Sequence, residues 1–165
     1  MARIDNAVKW CLEKGEKDGN KHTGLRKIEP NKIEGENQLK KAESDLGTMQ
    51  YLFEGNKTDW VASTAFYAMY HSLLAILYKL GYESRNQECT IILIESLINE
   101  KIIDLEQEYV DMIRNIQNDE GARSTREEMK YGSKTSMEEK RCIVLMNQAR
   151  KFVDRIKEVL EKLNS

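Results

Sequence analysis

The stretch that most limits the fold is Ser63 to Leu80, STAFYAMYHSLLAILYKL, the most apolar part of the chain. Ala62, Ala65, Phe66, Met69, Leu73, Ile76, Leu77 and Leu80 recur at three- and four-residue steps, the period of a helix. So broad an apolar face needs neighbours on more than one side. The other apolar segments are amphipathic, so the expectation is a buried central helix inside a bundle. Ser63, Tyr67 and His71, spaced by four, form a second stripe along the same helix. Two readings of that stripe stand open. Tyr67 and His71 are half-buried groups satisfied by hydrogen bonds, or they line a functional groove.

At 165 residues the chain suits one domain with a sizeable core. The formal net charge of -2, from 26 basic and 28 acidic residues, does not predict a strong nucleic-acid binder, though it leaves room for a local basic patch. No sustained apolar–polar alternation bounded by turns occurs, so strands are not expected. The three cysteines, Cys11, Cys89 and Cys142, are odd in number and lack any C-x-x-C spacing. Neither a disulfide framework nor a zinc site is expected, and a reducing cytoplasm is the simplest home. The start, MARIDNAVKW, lacks the apolar run of a signal peptide. No apolar run approaches the ~20 residues of a membrane span, so no membrane association is expected.

Taken in order, residues 1–23 read as a short helix with a polar arm and 24–165 as the helical bundle. Ile4, Val8, Cys11 and Leu12 mark one face of a helix over 3–14. KGEKDGNKHTGLRKIEP reads as a loop, with His22, Arg26 and Lys27 solvated or touching an anion. Pro30 suits a first helical turn. From there Ile33, Leu39, Ala42, Leu46, Met49 and Leu52 or Phe53 trace the buried face of a helix of about 25 residues, stopped by Gly55 and Asn56. Thr58 or Asp59 caps the central helix, and the short link makes the two helices antiparallel neighbours. After Gly81, YESRNQE reads as a connector to an apolar helix over 89–98. Asp104 with Gln107 resembles a capping box for a further helix, with Tyr109, Met112, Ile113 and Ile116 inward. EGARSTREEMKYGSKT is a long loop or partly ordered helix start carrying Arg123, Arg126 and Lys130. Ser136 with Glu139 opens a last helix, in which Cys142, Leu145, Ala149, Phe152, Ile156, Val159 and Leu163 recur near a 3.5-residue period. The fold class is all-α, an antiparallel bundle of four to five main helices in one domain.

Several chemistries lack their residues. There is no glycine-rich phosphate loop. Neither histidine belongs to an H-E-x-x-H or Glu-x-x-His pair, so no metal and no cofactor is expected. A serine triad would need His22 or His71, and no nucleophile elbow accompanies either. What remains is the arginine-rich loop, the stripe and Tyr131. An arginine fork suits phosphate, with two charge-assisted hydrogen bonds. Against that, Arg126 has Glu127 and Glu128 beside it as partners, and Tyr131 has the option of packing. Spacing alone does not choose.

STAFYAMYH before an apolar helix, Arg126-x-x-x-x-Tyr131-Gly132, and an acidic helix start leading to Ala149-Arg150-Lys151-Phe152-Val153 together resemble the HEPN domain family (higher eukaryotes and prokaryotes nucleotide-binding). The resemblance covers residues 24–163 and points to a small stand-alone prokaryotic branch. The GLRKIEP segment is similar to archaeal members. It implies a four- or five-helix bundle that often dimerises, commonly encoded beside a minimal nucleotidyltransferase in a toxin–antitoxin pair. It also implies a metal-independent ribonuclease site, R-x4-6-H at a dimer cleft. There the arginine holds phosphate and the histidine assists proton transfer during attack by the 2′-hydroxyl.

The chain departs from that motif. Tyr131 stands where the histidine would, and no histidine follows His71. A tyrosine with an ordinary pKa of about 10 is a poor base at neutral pH. Two hypotheses follow from the resemblance. In one, Arg126 and Tyr131, with Tyr67, His71, Ser63, Arg123 and Lys130, form a binding groove for a nucleotide, RNA or a partner protein. In the other, His71 replaces the missing base, Arg126 neutralises phosphate and Tyr131 donates a hydrogen bond. A helical dimerisation protein without a ligand is the third possibility, and Tyr131 as a target of the nucleotidyltransferase is a further expectation by analogy.

Overall fold

The computed structural model describes residues 2–118 and 139–164. Among these, six α-helices and one small sheet appear: α1 (Ala2–Gly15), β1 (Leu25–Lys27), α2 (Lys32–Glu54), α3 (Val61–Leu80), β2 (Tyr82–Ser84), α4 (Gln87–Asn99), α5 (Gln107–Asn118) and α6 (Glu139–Asn164).

The apolar run of α3 forms the centre as its period requires. Ala65, Met69, Ala75, Ile76 and Leu77 lose all contact with solvent, and Leu80, at the helix end, is partly covered. α2 lies antiparallel to it. Gly35 in the first turn of α2 meets the Ala75 carbonyl, and Ala42 packs on Ala68 seven residues on. α6 runs parallel to α3, with Cys142 Sγ donating to the Thr58 carbonyl at one end and Lys79 Nζ to the Leu160 carbonyl at the other. Ala42, Ala68 and Val153 meet where α2, α3 and α6 come together. Small residues there let three backbones approach closely. On the other side, Tyr109 of α5 meets Phe152 of α6 edge to face at 6.0 Å, and Arg114 joins α5 to Glu88 and Glu95 of α4.

Thr58–Leu80 is long and apolar enough to cross a membrane by length and composition, contrary to the expectation that no run is. Of its apolar window 78% is buried within the bundle, which is the condition of a core helix.

Local signals at the helix ends misled in four places. Pro30 precedes the cap rather than entering the first turn, and Asn31 caps α2 by accepting the Glu34 N–H at 2.9 Å. Ile33 is 73% exposed, because the buried face of α2 begins only at Gly35. Neither Thr58 nor Asp59 caps α3. Both lie in a 3₁₀ turn, and Trp60 precedes the helix with no side-chain cap. Asp104 is not part of a capping box, since α5 starts at Gln107 itself. Its carbonyl instead accepts from Arg155.

The largest departure is the segment from Gly15 to Glu29, expected as a solvated loop: residues 16–21 are exposed, but Gly15, His22, Gly24 and Leu25 are buried. Its residues 25–27 pair antiparallel with 82–84 of the supposed connector, Leu25 opposite Ser84 and Lys27 opposite Tyr82. Strands of three residues carry too little alternation to register in the sequence. His22 is 1% exposed, not solvated. Its Nδ1 accepts the Gly24 N–H, so the ring proton sits on Nε2 and is donated to Glu83 at 3.2 Å. Arg26 donates to the Gly15 and Gly19 carbonyls, Arg85 to that of Asn20 and Asn86 to that of Thr23. The clasp closes on a disulfide between Cys11 and Cys89, both fully buried, against the expectation of unpaired thiols. Their Cα atoms stand 5.8 Å apart across 78 residues of chain, a proximity that spacing cannot reveal. Cys142 remains a buried free thiol, its pKa pushed up mainly by burial.

Candidate functional site

α3 carries Ser63, Tyr67 and His71 on one stripe, and His71 meets α2 through Asp45. The helix sets their order, and burial then separates their conditions. Ser63, in the first turn, is partly covered. Tyr67 turns its ring outward and is 44% exposed. His71 lies at the edge of the core, its side chain 11% exposed.

The His71 ring is held from the neighbouring helix. Its Nδ1 lies 2.5 Å from Oδ2 of Asp45 on α2, and the Asp45 side chain is 21% exposed. The carboxylate can only accept, so Nδ1 donates. Sequence reasoning missed Asp45. The available signal was a carboxylate inside the apolar stripe of α2, one residue before Leu46 and three after Ala42. A charge placed there needs a partner when it is half-buried.

Aromatic rings surround this pair. Tyr67 stacks beside His71 with centroids 5.9 Å apart and planes 23° from parallel. Phe66 and Tyr70 stack at 6.0 Å and 9° on the next stripe, and Tyr70 lies 5.8 Å from the His71 ring. Burial pushes the Tyr70 phenol above its ordinary pKa, partly offset by a hydrogen bond with Thr90. Four rings at positions i, i+1, i+4 and i+5 thus make one aromatic face, with the Tyr67 edge wet and the Tyr70 edge dry.

Arg123, Arg126, Lys130 and Tyr131 lie outside the described residues, as does Ser136. The structure therefore brings together Tyr67 and His71, adds Asp45, and leaves Ser63 about one turn from Tyr67 and two from His71 along α3. Among the described residues no group of three or more His, Cys, Asp or Glu side chains is placed to hold a metal ion. A separate cleft between the ends of α2, α3 and α6 is lined by Lys32, Lys79 and Lys157, with Glu36 and Glu161 among them. Its charges are mixed, and it lacks an aromatic ring.

Fold and face together define an all-α bundle with a histidine–aspartate pair beside an exposed tyrosine on its central helix. The HEPN domain model matches residues 36–159, well over half of the chain, and the protein belongs to that family. Membership gives it a nucleotide- or RNA-related role in general terms. The matched span begins inside α2, so α1 and the strand β1 precede it. No curated protein matches the chain.

Proposed function

We propose that the protein binds a nucleotide or RNA on the α2–α3 flank, as a homodimeric, cytoplasmic component of a toxin–antitoxin-like pair with a minimal nucleotidyltransferase. The observation that carries the reading is the exposed Tyr67 ring stacked beside an Asp45-held His71. An exposed aromatic face offers a base a stacking platform, worth about 1–3 kcal/mol per base. A polar ring beside it supplies direction. Arg123, Arg126 and Lys130 join this reading as phosphate partners on chemistry alone.

Titration of a labelled single-stranded oligoribonucleotide into the unsubstituted protein and Tyr67→Ala tests it. The alanine variant loses roughly five- to 150-fold in affinity if one base stacks there. Absence of binding to nucleotides, RNA and the neighbouring nucleotidyltransferase would sink the proposal.

A second reading, a metal-independent ribonuclease of altered design, is favoured by the same Asp45–His71 contact. A histidine backed by a carboxylate is the arrangement general bases use. Cleavage of a mixed RNA pool in chelator, lost in both Arg126→Ala and His71→Ala, would support it. Equal cleavage by all three preparations would mark a contaminant.

A further inference from the structure

We propose that the cleft where α2 begins and α3 and α6 end is a binding site for a small monocarboxylate with an apolar body. The site stands apart from the aromatic face and from the nucleotide reading. Gly35 at the cleft and Asp45 at the aromatic face are separated along α2 by about 15 Å of helix.

The cleft encloses about 220 Å³, and its floor is apolar: Leu39 of α2, Ala75 of α3 and Leu160 of α6. Gly35 brings α2 down onto α3 there, since a methyl group on it would stand 3.1 Å from the Ala75 carbonyl oxygen. A dry cavity of about 150 Å³ takes a benzene ring, so a body of about six to eight carbons suits this one.

Three lysines stand around that floor, and two of them lack a counter-charge. Lys157 pairs with Glu43 at 2.7 Å. Lys79 Nζ donates to the Leu160 carbonyl at 3.3 Å, and among the described residues neither Lys79 nor Lys32 forms an ion pair. A lysine at the end of α3 meets the negative end of that helix and is ordinary. Lys32 is the first residue of α2, where the helix end is positive and a cation is disfavoured. Burial, and next the Lys32 charge, hold the Lys79 ammonium below the ordinary lysine range, with Glu36 offsetting them in part. An anion between the two ammonium groups relieves both the desolvation and the repulsion. The other lining charges select its valence. Lys32, Lys79 and Lys157 less Glu36 and Glu161, three minus two, leave one positive charge. One carboxylate balances it, whereas a phosphate dianion overshoots and meets the two glutamates.

The probe is octanoate, titrated into the unsubstituted protein and followed by nitrogen-15 backbone amide spectra. 1-Octanol, octylamine, acetate and inorganic phosphate are titrated for comparison. Octanoate should bind the tightest of these, with saturable shifts at Gly35, Leu39, Ala75 and Leu160. Lys79→Met keeps the stem, removes the charge and should weaken octanoate roughly tenfold to 150-fold. Lys32→Met, on an exposed first turn, should weaken it about threefold and carries the test if the Lys79 variant does not fold. Lys9→Met, on α1, should leave it unchanged. No saturable shift at those amides at millimolar octanoate overturns the proposal. So does 1-octanol, acetate or phosphate binding as tightly, or octylamine binding more tightly, since apolar surface, bare charge or the glutamates would then govern the cleft. Affinity retained in both cleft variants, or lost equally in Lys9→Met, overturns it as well. None of these outcomes bears on nucleotide binding at Tyr67, which the Tyr67→Ala titration tests separately.

Discussion

At the scale of single residues, partners decide behaviour more than position does. Arg155 donates to Glu106 at 2.9 Å and to the Asp104 carbonyl at 2.7 Å, tying α6 to the turn before α5. Its hydrogen bond holds the Glu106 carboxyl below the usual 4.5. A carboxyl depressed in the fold adds stability that is fully present above its unfolded value and lost as pH falls through the folded one. Arg155→Ala should therefore lower stability at pH 7 and flatten its decline below about pH 4.5, read from urea midpoints across the acid range. Glu106 is half exposed, so the loss should be modest. The Ser63, Tyr67 and His71 stripe was legible because helical spacing is local. Asp45 was not, because the sequence shows a carboxylate among apolar residues without showing which side chain answers it 26 residues away.

At the scale of elements, the long helices were legible and the clasp was not. The apolar period of α3 and α6 runs for many turns, and that is the strongest signal a sequence gives. The three-residue strands β1 and β2 offer no comparable run, and what makes them is each other. Two close approaches hold the clasp down. A methyl group on Gly15 would fall 1.8 Å from the Leu25 carbonyl oxygen, and one on Gly24 would fall 2.4 Å from that of Cys11. Gly15→Ala should accordingly push β1 off the end of α1, costing about 1–3 kcal/mol. Limited proteolysis should then cut faster around residues 22–28, where His22, Gly24 and Leu25 are buried in the unsubstituted protein. Unchanged protection in the variant would mean that the approach relaxes without opening.

At the scale of the whole molecule, the cysteines give a sharp count. Denatured without reductant, the protein should show one titratable thiol per chain, Cys142, and denatured with reductant, three. Three thiols in both would show that Cys11 and Cys89 stay reduced in the producing cell. Where the bond is present, its loss in Cys11→Ser should cost about 2–4 kcal/mol, because it closes a long loop of the unfolded chain. A denaturant melt of the variant against the oxidised protein measures that difference. A cytoplasmic home then requires that a sealed disulfide persist there, for which burial of both sulfurs is the means.

The same bond makes residues 11 to 89 a covalent macrocycle from which the rest of the chain extends as two tails. A single nick anywhere between residues 12 and 88 opens the ring without parting the pieces. Such a product keeps its full mass on a non-reducing gel and divides only when reductant is added. The central helix would remain tethered to the first after backbone damage that would release it from an uncyclised chain.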